Sequence, residues 1–317
     1  MSNLEPIKTK QPVIVGIDNG FYGTKIYCKG QTIYLRSRYE QSNDTVNKRN
    51  TYHLELNGKD YIVGEGAGIS SLDADKTSNE LYKIITYAGL SMLSNYLGEY
   101  FYLVGSYPLN IYNQNKEQFA NYLKGEGFFQ TKLDGEDKTF TIMDAMTFPQ
   151  GISHAYNNLK LFDKQVRGVL DFGGLTINCV ILDDLNIIPG TPFTENLGSI
   201  ILYNDIKKNL DKRFNQNIQP YEVPTIIKSG LKINGRLEQE SISIIKSTIT
   251  EHILKIKKAM KANNWNVDSL ELFITGGSSL DFHDELLSIF PQAIFSTDPV
   301  NDGAKGLHRI GELMYNN

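Results

Sequence analysis

Two short turns carry an aspartate followed two residues later by a glycine: Asp18-Asn19-Gly20 and Asp171-Phe172-Gly173. A third glycine turn, Thr275-Gly276-Gly277-Ser278, opens without an acid. Each follows an apolar run, and strand ends in α/β sheets are where ligands gather. Glycine lets backbone N–H groups come close to phosphate oxygens and converge on them. An aspartate in the same place would repel a polyphosphate unless a divalent cation lay between. Mg²⁺ suits that position, because it keeps several waters and meets protein through one or two carboxylates. Asp18 and Asp171 are therefore expected to face a hydrated Mg²⁺, mainly through water. Lys25 closes the first turn and can set its ammonium against a β-phosphate as a point charge. Asn19 and Thr176 would add amide and hydroxyl contacts. Either Asp-x-Gly alone is an ordinary turn. The three turns in this order, each behind a matching strand, read as one site.

The turns need strands to hold them. Residues 13–17 are mostly β-branched and read as a buried strand, with a second strand at 24–28. Residues 169–182 repeat the plan: apolar strand, Asp-x-Gly turn, β-branched strand. Cys28 and Cys179 fall at loosely corresponding places and read as small buried hydrophobes, two being too few for a metal site. Such a repeat suggests two lobes of similar topology. Between the repeats, Leu81, Ile84, Ile85, Ala88 and Met92 step at helical spacing, with Asp73 and Ser78 as caps. A strand is expected at 101–104, a loop at 105–108, and a helix at 114–124 stopped by Gly125. Residues 139–143 and 145–148 read as extended. Pro149-Gln150-Gly151 breaks the chain before a helix at 152–159. Further on, Leu197, Ile200, Ile201 and Leu210 suggest a helix, and 215–224 a surface loop. Ile242, Ile245, Ile249, Ile253, Ile256 and Met260 form one stripe of a long helix. Its lysines, Lys246, Lys255, Lys257, Lys258 and Lys261, lie mostly off the stripe, as a solvated face would. Strands at 270–274 and 293–295 and a last helix from Asp302 complete the chain.

Composition narrows the function. The chain has 317 residues, 40% hydrophobic and 21% charged, with a formal net charge of -4. That is an ordinary globular balance. A chain whose main task was gripping DNA would carry a basic excess, so direct DNA binding is not expected. No apolar run reaches the roughly 20 residues of a membrane span. The first eleven residues are polar, hold Lys8 and Lys10, and lack the apolar core of a secretion signal. A cytoplasmic protein without membrane attachment is expected. The histidines at 53, 154, 252, 283 and 308 show no ligand spacing. Tyrosines at 96, 100, 102 and 107 suit either a core or a subunit contact.

Together these motifs carry a resemblance. Asp18-Asn19-Gly20-Phe21-Tyr22-Gly23-Thr24-Lys25 resembles the first phosphate loop of the actin, heat-shock chaperone and sugar-kinase superfamily. Asp171-Phe172-Gly173-Gly174-Leu175-Thr176 resembles its second phosphate loop, and Thr275-Gly276-Gly277-Ser278 its adenosine motif. Pro149-Gln150-Gly151 and residues 301–311 sit where its two connecting segments run. All five elements occur in order and span nearly the whole chain. Length and short insertions are most similar to bacterial and archaeal actin-like proteins of the ParM/StbA type, which are filament-forming plasmid-segregation ATPases.

The resemblance implies an α/β fold of two lobes, each a mixed sheet flanked by helices (ribonuclease H-like), with a nucleotide cleft between. Lobe I would take 1–162 and be completed by the C-terminal helix 301–317; lobe II would take 163–300. It implies binding of ATP, or GTP, with Mg²⁺ held by Asp18 and Asp171. Nucleotide contacts would come from Asn19, Gly20, Tyr22, Gly23, Thr24, Lys25, Gly173, Gly174, Thr176, Gly198, Glu222, Gly276, Gly277 and Ser278. Gln150 joins Asp18 and Asp171 in the catalytic set: a neutral amide is no general base but can orient an attacking water. Some ParM-type relatives carry Glu there. A Gln that merely caps the following helix is the plainer reading. The implied partners are further copies of the chain in a head-to-tail filament and a small DNA-binding adaptor on a plasmid centromere. Two alternatives share the fold. A small-molecule kinase would need a carboxylate base for its substrate hydroxyl, and a cell-shape filament protein would need an apolar membrane-binding element.

Overall fold

A computed structural model describes residues 11–44, 48–71, 73, 75–97 and 100–315. The expectations for Lys8, Lys10 and the Tyr96 side chain fall outside what it describes.

The strand Val13–Asn19 is the organising element of the first half. It pairs antiparallel with Gly23–Cys28 and parallel with Tyr100–Tyr107. Tyr100–Tyr107 in turn pairs parallel with Glu136–Pro149. Strands buried on both faces read as continuous apolar runs rather than alternations, and 13–17 are all buried. Outward from this centre run Gln31–Arg36 on one side and Phe128–Leu133, Thr51–Leu56, Lys59–Gly64 and Tyr39–Gln41 on the other, nine strands among the described residues.

The second sheet repeats the same centre. Val166–Phe172 pairs antiparallel with Ile177–Asp183 and parallel with Leu272–Thr275, which pairs parallel with Ala293–Phe295. In register, Asp18 lies opposite Lys25, and Asp171 lies opposite Asn178. The internal repeat seen in the sequence is thus a repeat of two hairpins in two sheets.

Two large cores form. One gathers residues between Val13 and Ile142 beneath helices Leu81–Leu97 and Tyr112–Lys124. The other gathers residues between Leu170 and Phe290 beneath Ser199–Phe214 and Gln239–Ala262. Two helices lie where the halves meet. The short helix Ser153–Asn157 follows Ile152, and Ile152, Ala155 and Phe162 pack on Val169, Val180 and Phe273 of the second sheet. The last helix, Asp302–Tyr315, lays Leu307 and Ile310 on Val104 of the first sheet. Glycines set how close it comes. A Cβ on Gly306 would lie 1.7 Å from the Ser153 carbonyl oxygen, and one on Gly16 would lie 2.1 Å from that of Ala304.

Several boundaries differ from the sequence reading. The expected loop at 105–108 is strand as far as Tyr107, because Gly105, Ser106 and Tyr107 continue the ladder onto Thr147, Phe148 and Pro149. The two extended pieces around 139–148 are one strand, whose register slips past Met143. The helix at 152–159 is two short ones, Ser153–Asn157 and Leu159–Phe162. Asn79, not Asp73 or Ser78, receives the Leu81 N–H at the start of the first long helix. In the long helix Gln239–Ala262, Ile242 is exposed and the buried stripe runs from Ser241 through Ile245 to Met260. Its lysines do face outward, Lys257 and Lys261 toward Asp268. Both cysteines are buried on strands as expected. Tyr107 is a core residue, whereas Tyr102 stacks on Tyr315.

Candidate functional site

The ends of the two central hairpins and the Gly276-Gly277 turn line one cavity of about 460 Å³. Asp18 stands at the penultimate position of its strand. Its carboxylate accepts a hydrogen bond from Ser106 Oγ at 2.8 Å and lies 3.3 Å from Lys25 Nζ. Burial works against its charge, but Lys25, His154 and Lys76 together with the Ser106 hydrogen bond outweigh that and hold the carboxyl below its ordinary value. Burial likewise opposes the charge on Lys25, and the Asp18 carboxylate overcomes it, so the ammonium is held above its ordinary value. The pair is therefore a stable ion pair inside the cavity wall.

Behind Asp18 the chain is fixed by the neighbouring strand. Asn19 N–H donates to Ser106 Oγ at 3.0 Å. The Asn19 carbonyl accepts from Lys76 Nζ and, at 3.5 Å, from Gln150 Nε2. Asn19 Oδ1 is buried without a hydrogen-bond partner. Gln150 is itself held by its own N–H on the Tyr107 carbonyl at 2.9 Å and by its amide on Ser106 Oγ at 3.4 Å. The following helix has Ile152 at its N-cap and no side-chain cap, so Gln150 does not cap it. Its amide faces the cavity.

On the opposite wall, Asp171 accepts from Asn178 Nδ2 at 3.2 Å and lies 3.7 Å from His154 Nε2. The turn beyond it closes through Gly173 N–H on the Thr176 carbonyl. Three pieces interlock there. Gly198 N–H donates to the Leu175 carbonyl, and Ser199 and Ile200 N–H groups donate to those of Gly173 and Gly174. A Cβ on Gly198 would lie 2.4 Å from the Leu175 carbonyl carbon, so only glycine admits this approach. Ser278 Oγ reaches both the Gly173 carbonyl and Ser199 Oγ. Gly276 sits at φ +86, where a Cβ would lie 2.5 Å from the Phe172 backbone. The two walls touch at the rim, where a Cβ on Gly174 would lie 2.8 Å from Tyr22 Cβ. The Tyr22 ring carries the Arg36 guanidinium 3.3 Å from its centroid. At the far end of the cavity, Tyr203 OH donates to Asp281, and Lys228 Nζ lies 3.7 Å from the same carboxylate.

Of the residues singled out from the sequence, Asp18, Gly20, Tyr22, Lys25, Gln150, Asp171, Gly173, Gly174, Thr176, Gly276, Gly277 and Ser278 line this cavity. Asn19, Gly23, Thr24 and Gly198 stand one layer behind. Thr24 is fully buried against Ser37, and Gly23 pairs with Arg36. Glu222 is exposed and off the wall, its carboxylate accepting the Gln219 N–H at 2.6 Å; its neighbour Pro224 lines the cavity instead. Sequence reasoning missed Lys76, Ser106, His154, Asn178, Tyr203 and Asp281. For Asn178 a signal existed: it lies seven residues after Asp171, as Lys25 lies seven after Asp18.

The arrangement suits a polyphosphate with a divalent cation. Three carboxylates line the cavity, Asp18 and Asp171 on the facing walls and Asp281 engaged at its far end by Tyr203 and Lys228, and the described residues hold no cluster of three or more His, Cys, Asp or Glu side chains able to bind a metal alone. A Mg²⁺ that takes its remaining ligands from water and phosphate fits such a donor set.

Comparison with known proteins agrees with this fold. Residues 16–152 match the family described as actin like proteins N terminal domain. No curated protein matches the chain in sequence. An archaeal actin homolog, Ta0583, solved in complex with ADP, superposes with a TM-score of 0.77 at 19% identity, over 95% of this chain and 99% of that one. The Alp12 filament structure gives 0.73 at 20% identity, over 97% and 100%. A 15-stranded ParM filament from Clostridium botulinum gives 0.74 at 17% identity, over 96% and 99%.

Proposed function

We propose that this chain, actin-like in its whole fold and in the sequence of residues 16–152, is an ATPase whose bound nucleotide controls assembly into filaments. One observation carries the reading: Asp18, Asp171 and Gln150 converge with three glycine turns on a single cavity between two sheets. The backbone N–H groups of the glycine turns would cradle the phosphates, and Lys25 would meet them as a fixed charge. Asp18 and Asp171 would hold Mg²⁺ through water, and the ion would neutralise charge on the phosphates. Gln150, pinned through Ser106 and the Asn19 carbonyl, would orient the attacking water.

A ligand gripped by both walls stabilises the closed arrangement of the lobes and is lost as a tie when it is cleaved. Head-to-tail contacts that do not close into a ring would turn that closed state into a polymer. The filament structures of the Alp12 and ParM proteins of the same fold support the self-assembly part of this reading; a DNA-binding adaptor would connect such a polymer to plasmid DNA.

Phosphate release from Mg·ATP tests the site. The wild type is expected to turn over ATP and Asp171→Ala to lose at least about a hundredfold in rate, the usual scale for removing a transition-state electrostatic contact. Unchanged turnover in Asp171→Ala would remove the cation site from this cavity.

A further inference from the structure

Lys76 is fully buried, in the segment between strand Lys59–Gly64 and helix Leu81–Leu97. Lysine is almost never buried whole unless paired. Among the described residues Lys76 has no carboxylate within 4 Å; its ammonium donates to the Asn19 carbonyl and otherwise lies against the rings of Phe21, at 5.4 Å, and Tyr82, at 5.2 Å. An ammonium has three donors, and one carbonyl does not satisfy them. Burial pushes its pKa down to about 7, against the pull of Asp18 and Asp171.

The surroundings hold it in place. Asp75 accepts from Thr77 N–H at 2.9 Å and from Tyr107 OH at 3.2 Å. The carbonyl of the same Tyr107 fixes Gln150. Lys76 and Gln150 then meet on one oxygen, that of Asn19, directly behind the Asp18 turn. Phe21, the ring beside Lys76, is part of the cavity wall. Lys76 itself is not on that wall: its ammonium stands behind Phe21 and Asn19, in low dielectric and, among the described residues, without a carboxylate at contact distance, so a terminal phosphate seated against Phe21 would supply the negative charge it lacks there.

Resting on the nucleotide site proposed above, we propose that Lys76 is the cation by which that site distinguishes a nucleoside triphosphate from a diphosphate. The same contact would tie the terminal phosphate to residues 75–80 and so to the helix Leu81–Leu97 that follows them. A desolvated charge interacts far more strongly than an exposed one, which is why a single lysine suffices.

Calorimetric titration of wild type, Lys76→Met and Lys76→Arg with Mg²⁺ plus either ADP or a non-hydrolysable ATP analogue tests this. The expected result is that Lys76→Met binds the triphosphate at least about tenfold more weakly, that ADP binding stays within about threefold, and that Lys76→Arg recovers most of the triphosphate affinity. Equal losses for both nucleotides, or no loss for either, would overturn the proposal. Should Lys76→Met not fold, Lys76→Gln carries the same comparison. A wild type that binds neither nucleotide would sink the site itself, an outcome distinct from failure of Lys76 alone.

Discussion

Lys25 and Asn178 occupy the same place in two hairpins of two different sheets. Each lies directly across its hairpin from an aspartate and reaches back to it, Lys25 to Asp18 at 3.3 Å and Asn178 to Asp171 at 3.2 Å. The repeat is therefore one of backbone and of side-chain direction, but not of charge. One wall carries an ion pair, the other a carboxylate steadied by a neutral amide. That asymmetry would divide the work on the proposed function: Lys25 would meet phosphate, and Asn178 brings no charge of its own to Asp171, whose nearest basic neighbour is His154 at 3.7 Å.

The two variants should part accordingly. Lys25→Met is expected to weaken ATP and ADP binding alike, by about tenfold or more, as for losing a hydrogen bond to a charged group. Asn178→Ala is expected to leave nucleotide affinity within a fewfold and to raise the Mg²⁺ concentration needed for half-maximal turnover. Calorimetry and a Mg²⁺ titration of phosphate release read the two effects. Equal behaviour of the variants would contradict the division.

Gln150 should matter for cleavage and little for binding. Gln150→Ala is expected to lower kcat by about a hundredfold, the scale of one well-placed catalytic group, with nucleotide affinity nearly unchanged. A parallel loss of affinity would mean that Gln150 only holds the Asn19 carbonyl.

Lys76 predicts a trade between stability and function. Replacing a buried, poorly paired charge with an apolar side chain is commonly neutral or stabilising by about 1–4 kcal/mol. Lys76→Met is thus expected to raise the Tm of the nucleotide-free protein by a few degrees at neutral pH. A clear fall in Tm would show that the ammonium is well satisfied without a ligand.

Gly306 tests how the last helix is seated. With a Cβ 1.7 Å from the Ser153 carbonyl oxygen, the neighbour that must move is backbone. Gly306→Ala is expected to cost about 1–3 kcal/mol, as overpacking does. Chemical denaturation measures it, and a change below about half a kcal/mol would count against this close contact.

The pH dependence follows from two histidines. Burial lowers the pKa of His252, against its bond to the Leu197 carbonyl, and lowers that of His308, against Glu312. Below the ordinary histidine value of about 6.5 the unfolded chain's two imidazoles bind more protons than the folded ones, so the stability these two rings contribute is complete above that pH and falls beneath it. Thermal melts from pH 8 to 5.5 should show the decline, and it should be smaller in His252→Gln combined with His308→Gln. A flat profile would contradict the burial of both rings.

The central hairpins were legible because their chemistry is local: an apolar run, an acid and a glycine occupy neighbouring positions. The outer strands were not. Thr51–Leu56 and Lys59–Gly64 mix polar and apolar residues without a clean period, and Gln31–Arg36 follows its partner with only a short turn. Their pairing is a matter of the sheet rather than of the segment. Lys76 and His154 were hidden for a related reason. By residue type a lysine reads as surface and a lone histidine as packing, and only long-range placement brings them beside Asp18 and Asp171. Glu222 shows the converse, since a plausible charge near the right segment turned instead to its own loop.

The most direct measurement is sedimentation with light scattering of the purified chain in Mg²⁺ with ATP, with ADP and without nucleotide. The account predicts a rise in scattering and a pellet with ATP, less with ADP, none without nucleotide, and none with ATP in Asp171→Ala. The absence of polymer in every ATP condition, with ATP phosphate transferred to a sugar instead of water, would contradict it.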